Sequence, residues 1–91
     1  MNINVTLLGG EYPRHFILSG RIGQTLHRLH LAGKTGITPL ESPALRLAAH
    51  VHSLRELGFI IETEREPHGG AYPAHHARHT LLSGVSVGDA Q

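Results

Sequence analysis

Cysteine is absent from the 91 residues of the chain. That excludes a disulfide, a cysteine nucleophile, a cysteine-ligated zinc finger and an iron–sulfur cluster. An excess of one charge sign is missing too. Eight Lys and Arg stand against seven Asp and Glu, a formal net charge of +1 with His neutral. A strongly basic nucleic-acid coat is therefore excluded. No run approaches the ~18 apolar residues that a membrane span needs. Met1-Asn2-Ile3-Asn4-Val5 lacks the basic start and apolar core of a secretory signal, so a cytoplasmic protein with no membrane partner is expected. The length allows one domain and is too short for a TIM barrel or a dinucleotide-binding α/β fold. What the chain does hold is 40% apolar residues, enough for a small globular core, and nine histidines. The histidines make the surface more positive below about pH 6.5.

Periodicity places the elements. Ile3, Val5 and Leu7 alternate with polar residues as in a strand, and Gly9-Gly10 marks a turn. The residues leave open whether segments 3–8 and 15–18 form a hairpin or an arm that orders only against a partner. Ser19 is a candidate cap for a helix over 21–32, with Ile22, Leu26 and Leu29 on one face and Gly33 at its C-terminus. Thr38-Pro39-Leu40-Glu41 has the order of a capping box, with Ile37 before it as staple residue. This predicts a short second helix, interrupted at Ser42-Pro43. A third helix is expected over 43–57, burying Leu47, Val51 and Leu54 and ending at Gly58. His50 and Arg55 flank that stripe. Residues 59–66 and 74–82 alternate as two strands around a breaker-rich loop, and 84–91 reads as a polar, frayed tail.

The compact solution is an α+β fold: a winged helix-turn-helix with a three-helix core, a C-terminal β-hairpin wing and an additional N-terminal strand. Ile37 is placed to add a short strand at the edge of the wing. The expected division is an N-terminal arm or hairpin over 1–18, the winged helix-turn-helix over 19–82 and a flexible tail over 83–91.

The run Ile37-Thr38-Pro39-Leu40-Glu41, followed by Arg46-Leu47-Ala48-Ala49-His50-Val51-His52-Ser53-Leu54-Arg55-Glu56-Leu57-Gly58-Phe59-Ile60-Ile61-Glu62-Thr63-Glu64, resembles a phage- and bacterium-associated family of small winged helix-turn-helix domains. The resemblance covers about residues 22–82. It implies a winged helix and, through it, a small transcriptional regulator or phage-derived accessory protein. Two departures are visible. The stretch between Pro39 and Arg46 is shorter than the family pattern, and the wing is rich in histidine.

In a helix-turn-helix the recognition helix enters the major groove. The third helix would therefore contact double-stranded DNA. Arg46 is the first candidate, because guanidinium bonds bidentately to guanine or phosphate. His50 and Ser53 follow along the same side, and Ser42 at the cap could meet a phosphate. Arg65 and Arg78 are the wing's candidates, provided that Glu62, Glu64 and Glu66 face away. Arg55 suits a structural pairing across the start of the sheet as well as a phosphate contact. A continuous positive patch from Arg46 to Arg78 would favour DNA. A neutral patch centred on Glu56 would favour the alternative, a winged helix used for protein interaction or dimerisation. A homodimer is the simple route to affinity, with the N-terminal strand and Phe16-Ile17-Leu18 as its contacts.

No metal and no small-molecule cofactor is expected. His75 and His79 share a strand face but lie roughly 13 Å apart along it, and His50 and His52 do not share a helix face. Gly33-Lys34-Thr35-Gly36 lacks the strand and glycine scaffold of a phosphate loop. It reads as a helix cap and turn. No nucleophile–base pair stands at an interpretable spacing, so an enzyme is not expected.

Overall fold

The computed structural model describes residues 2–39, 46–68 and 74–89. The elements are β1 (Asn2–Leu7), β2 (Arg14–Ser19), α1 (Gly20–Ala32), a 3-10 turn (Gly33–Thr35), α2 (Leu47–Leu57), β3 (Ile61–His68), β4 (Ala74–Leu81) and β5 (Val85–Asp89). They form two antiparallel sheets, one ordered β2-β1-β5 and the other the β3–β4 hairpin.

Alternation in the N-terminal segment is that of a strand buried on one face. Ile3, Val5 and Leu7 are buried while Asn2 and Asn4 are exposed. β1 and β2 do form a hairpin, with Asn2 opposite Ser19 and Leu7 opposite Arg14. The segment expected as a polar tail is instead β5, which pairs with β1 from Ile3–Asp89 to Leu7–Val85. Val85 and Val87 are half-buried on the inner face, and Ser86 and Gly88 are exposed. Two inward valines recover part of the cost of ordering the backbone.

α1 starts after Ser19, which has extended backbone angles at the cap position but makes no side-chain cap hydrogen bond. Gly23 lets this helix approach β2. A Cβ there would lie 2.8 Å from the Leu18 carbonyl oxygen. The loss of helix propensity, about 0.5–1 kcal/mol against Ala, is the cost of that approach. At the other end the Gly33 N–H bonds the Leu29 carbonyl.

The three-helix core is not what the chain builds. Among the described residues there are two α-helices and one 3-10 turn. Ile37 forms a bridge to the wing: its N–H bonds the His79 carbonyl and its carbonyl accepts the His79 N–H, both at 2.9 Å. This bridge is the edge strand expected of Ile37, and extended backbone there is compatible with a cap at Thr38. Thr38 is buried and Pro39 lies in a turn, while Leu40, Glu41, Ser42 and Pro43 lie outside the described residues. The inner face of the β2-β1-β5 sheet contributes Ile3, Val5, Leu7 and Leu18 to the core shared with α1 and α2.

Those parts meet in one core of Ile3, Val5, Leu7, Leu18, Leu26, Leu29, Ile37, Leu47, Val51, Leu54, Phe59 and Ile61. The α2 stripe faces inward as its spacing requires, with Leu47, Val51 and Leu54 all buried. α2 ends in a Schellman motif: Gly58 N–H bonds the Arg55 carbonyl and Phe59 N–H the Leu54 carbonyl. No helix among the described residues is long and apolar enough to cross a membrane.

Candidate nucleic-acid interface

Register decides which side chains share a face of the β3–β4 hairpin. Thr63 pairs with His79 and Arg65 with Ala77, while Glu62 pairs with Thr80 and Glu64 with Arg78. Side chains alternate across a strand. Thr63, Arg65, Ala77 and His79 therefore turn toward α2, and Glu62, Glu64, Thr80 and Arg78 lie on the reverse.

Between α2 and the first of these faces runs a groove of about 750 Å³, whose lining includes Arg46, Arg55 and Arg65 together with Val51, Ala77 and His79. No carboxylate among the described residues lines it. Arg46 occupies the cap position of α2, and its carbonyl accepts the His50 N–H. Arg55 is fixed across the groove. Its Nε and Nη2 donate to the Ile61 carbonyl, and Nη2 also donates to Thr63 Oγ1 at 2.8 Å. It thus joins the helix to the wing while keeping its charge in the groove wall. The structural pairing of Arg55 across the start of the sheet is thus made through carbonyl and hydroxyl contacts.

His79 forms part of the floor and is only 4% exposed. Its Nδ1 lies 2.9 Å from Thr63 Oγ1. Because Thr63 Oγ1 accepts from Arg55, its own proton is available to Nδ1, an arrangement that suits a neutral imidazole. Burial, and then the nearby Arg55 charge, hold the His79 pKa below its ordinary value of 6.5. The sign of the pH effect follows. Below about pH 6.5 the unfolded chain takes up this proton before the folded one does, so His79 makes stability fall as the pH drops. Wild type is expected to lose more stability than His79→Gln between about pH 7.5 and about pH 5.5. Urea unfolding at both pH values checks this, and equal losses would rule out the buried neutral ring.

The sequence candidates separate. Arg46 and Arg65 meet in the groove. His50 is half-buried, and its Nε2 is enclosed with no hydrogen-bond partner among the described residues. Ser53 is half-buried as well, and its hydroxyl donates to the Ala49 carbonyl at 3.2 Å. Arg78 is on the glutamate face and donates from Nη1 to the Thr35 carbonyl at 2.8 Å. The positive patch therefore joins Arg46, Arg55 and Arg65 and does not continue to Arg78. Ser42 lies outside the described residues. On the outward side of α2, His52 Nε2 and Glu56 Oε1 are 2.6 Å apart and both side chains are well exposed. Among the described residues no group of three His, Cys, Asp or Glu could hold a metal ion.

His79 lines the groove without being a sequence candidate, and Arg55, open in the sequence between a structural pairing and a phosphate contact, does line it. Their signal was positional. Arg55 borders the apolar stripe of α2, and His79 alternates with Leu81 on the inward side of its strand.

This arrangement, a helix pair followed by a β-hairpin that folds back beside the second helix, is that of a winged helix. Residues 15–91 match the winged helix domain family, and the chain belongs to that family. β3 and β4 are accordingly its wing. The fold is one consistent with DNA-binding proteins in general. No curated protein and no solved structure matches the chain.

Proposed function

We propose that the chain binds double-stranded DNA, with α2 entering the major groove and the phosphate backbone seated between α2 and the wing, as a small transcriptional regulator would. The observation that carries this reading is the convergence of Arg46, Arg55 and Arg65 on one groove that no carboxylate lines among the described residues. Guanidinium groups pair with phosphate in a fixed fork geometry, and phosphate contacts set position on the duplex. Glu62 and Glu64 are on the other face of the wing and do not oppose that contact. Arg46, at the start of α2, is the candidate for base edges in this reading.

A titration of random-sequence duplex DNA at low and moderate salt tests this. Binding is expected at ~50 mM salt and is expected to weaken steeply as salt rises. Arg65→Ala is expected to lower the salt slope by about 1, since each lost phosphate contact removes roughly one counterion, and Arg46→Ala to reduce sequence preference. Arg21→Ala, on α1, should leave more of the affinity intact. Absence of binding at ~50 mM salt would exclude the reading.

One observation favours a second reading. Glu56 lies on the outward face of α2 beside His52, both well exposed. An acidic group there favours a protein-interaction role over a phosphate contact on that face. An intact fold with no DNA affinity would select it.

A further inference from the structure

Away from the arginine groove, large apolar side chains gather at the opposite end of the hairpin. Leu8 is 47% exposed, Tyr12 77%, Ile60 62% and Leu82 56%. Leu82 N–H bonds the Ile60 carbonyl at 2.8 Å. These two therefore extend the β3–β4 ladder as a directly opposed pair, on the face that carries Glu62 and Thr80. Leu8 joins them through its N–H to the Gly84 carbonyl at 2.9 Å, and Ile60 N–H is held by Ser83 Oγ at 2.7 Å. The backbone under this patch is thus pinned from three segments. A hollow of about 590 Å³ is lined here by Leu8, Tyr12 and Ile60, with one charge of each sign, Glu11 and Arg14, also in its lining. Arg14 is positioned by Phe16, whose ring centre lies 5.3 Å from its guanidinium carbon.

We infer that this surface is the contact between two copies of the chain, related by a two-fold axis. Apolar surface held on a fixed backbone is a standing cost in water that association removes. The charges identify the occupant. A two-fold contact brings one patch against itself, so a surface carrying both Glu11 and Arg14 can set Glu11 of each copy against Arg14 of the other. A partner of one charge sign would leave one of the two opposed by a like charge. The net charge of +1 adds little repulsion between copies. The patch lies on the reverse of the wing from the arginine groove, so both grooves stay open in the pair. Of the Phe16-Ile17-Leu18 run expected at a dimer contact, Leu18 is buried in the core and Phe16 packs against it, while Ile17 is exposed on the outer face of the other sheet.

Sedimentation equilibrium of the full chain across the micromolar range, without DNA, tests the inference separately from nucleic-acid binding. A reversible monomer–dimer equilibrium is expected. Ile60→Glu and Leu82→Glu should each give monomer, and Ile17→Glu, on the outer face of the other sheet, should leave the dimer unchanged. Glu11→Arg is expected to weaken association about tenfold, because the two-fold axis repeats the like-charge contact. Adding Arg14→Glu to Glu11→Arg should restore it to within about threefold. Circular dichroism confirms that each variant is folded. Monomer at every concentration overturns the inference. So does a dimer that survives both glutamate substitutions, and so does failure of the charge exchange to restore association.

Discussion

Phe59→Ala is expected to cost about 3–5 kcal/mol of folding stability, the usual range for removing a buried phenyl ring. Phe59 is 2% exposed and its ring centre is 5.3 Å from that of Phe16, tilted by 47°. It follows the C-terminal glycine of α2 and precedes β3, so one side chain closes the space between the helices and the N-terminal sheet. Native domains hold roughly 5–15 kcal/mol in all. The variant should therefore be near the limit of folding, with a melting temperature lower by more than about 10 °C at this chain length. Urea unfolding followed by circular dichroism measures it. Phe59→Leu should recover more than half of the loss. A loss below about 1 kcal/mol would show that the ring is not the contact between the two layers.

Gly36→Ala is the second large effect. Gly36 has φ 70° and ψ −177°, a backbone region open to glycine and strained for other residues, at about 1–3 kcal/mol. Space is lacking as well. A Cβ would fall 2.6 Å from the His79 carbonyl oxygen and 2.6 Å from Thr80 Oγ1. Backbone cannot swing aside as a flexible side chain can, and overpacking of this kind adds roughly 1–3 kcal/mol. Gly33→Ala provides the comparison. Gly33 has φ 55° but nothing within 4 Å of the new Cβ, so it carries the strain without the overlap and should lose less. Hydrogen exchange at the Ile37 and His79 amides reads the local effect. Both should exchange faster in Gly36→Ala, because the substitution pushes apart the strands that their mutual hydrogen bonds join. Equal stability of the two alanine variants would show that the close approach does not constrain the fold.

These two positions also mark where sequence reasoning reaches and where it ends. Glycine at 36 is visible as a turn signal, but the carbonyl it must avoid belongs to a residue 43 positions later in the chain. Likewise, the wing's alternation is plain in Phe59, Ile61, Thr63 and Arg65, and so is the grouping of Ala77, His79 and Leu81. Which of the two β4 faces meets which β3 face depends on register. With Arg65 opposite Ala77 and Glu64 opposite Arg78, two arginines that look equivalent in the sequence end on opposite sides of the hairpin. Only one of them lines the groove. The helical stripe of α2 was legible because Leu47, Val51 and Leu54 recur at i, i+4 and i+7. Of the short helix expected from the capping box only Pro39 is described, in a turn, so two α-helices rather than three stand among the described residues.

Taken alone, the order of residues determined what is periodic, capped or missing. It determined the inward faces of α1 and α2, the wing, the short edge strand at Ile37 and the absence of cysteine chemistry. Folding in three dimensions decided that Val85–Asp89 joins β1, that a three-stranded sheet packs with two helices in place of a three-helix core, and that Arg46, Arg55 and Arg65 converge on one groove. The reason is physical. Periodicity and capping are carried by neighbours within a few residues, whereas strand partners and convergent charges are selected by the burial available to the whole chain.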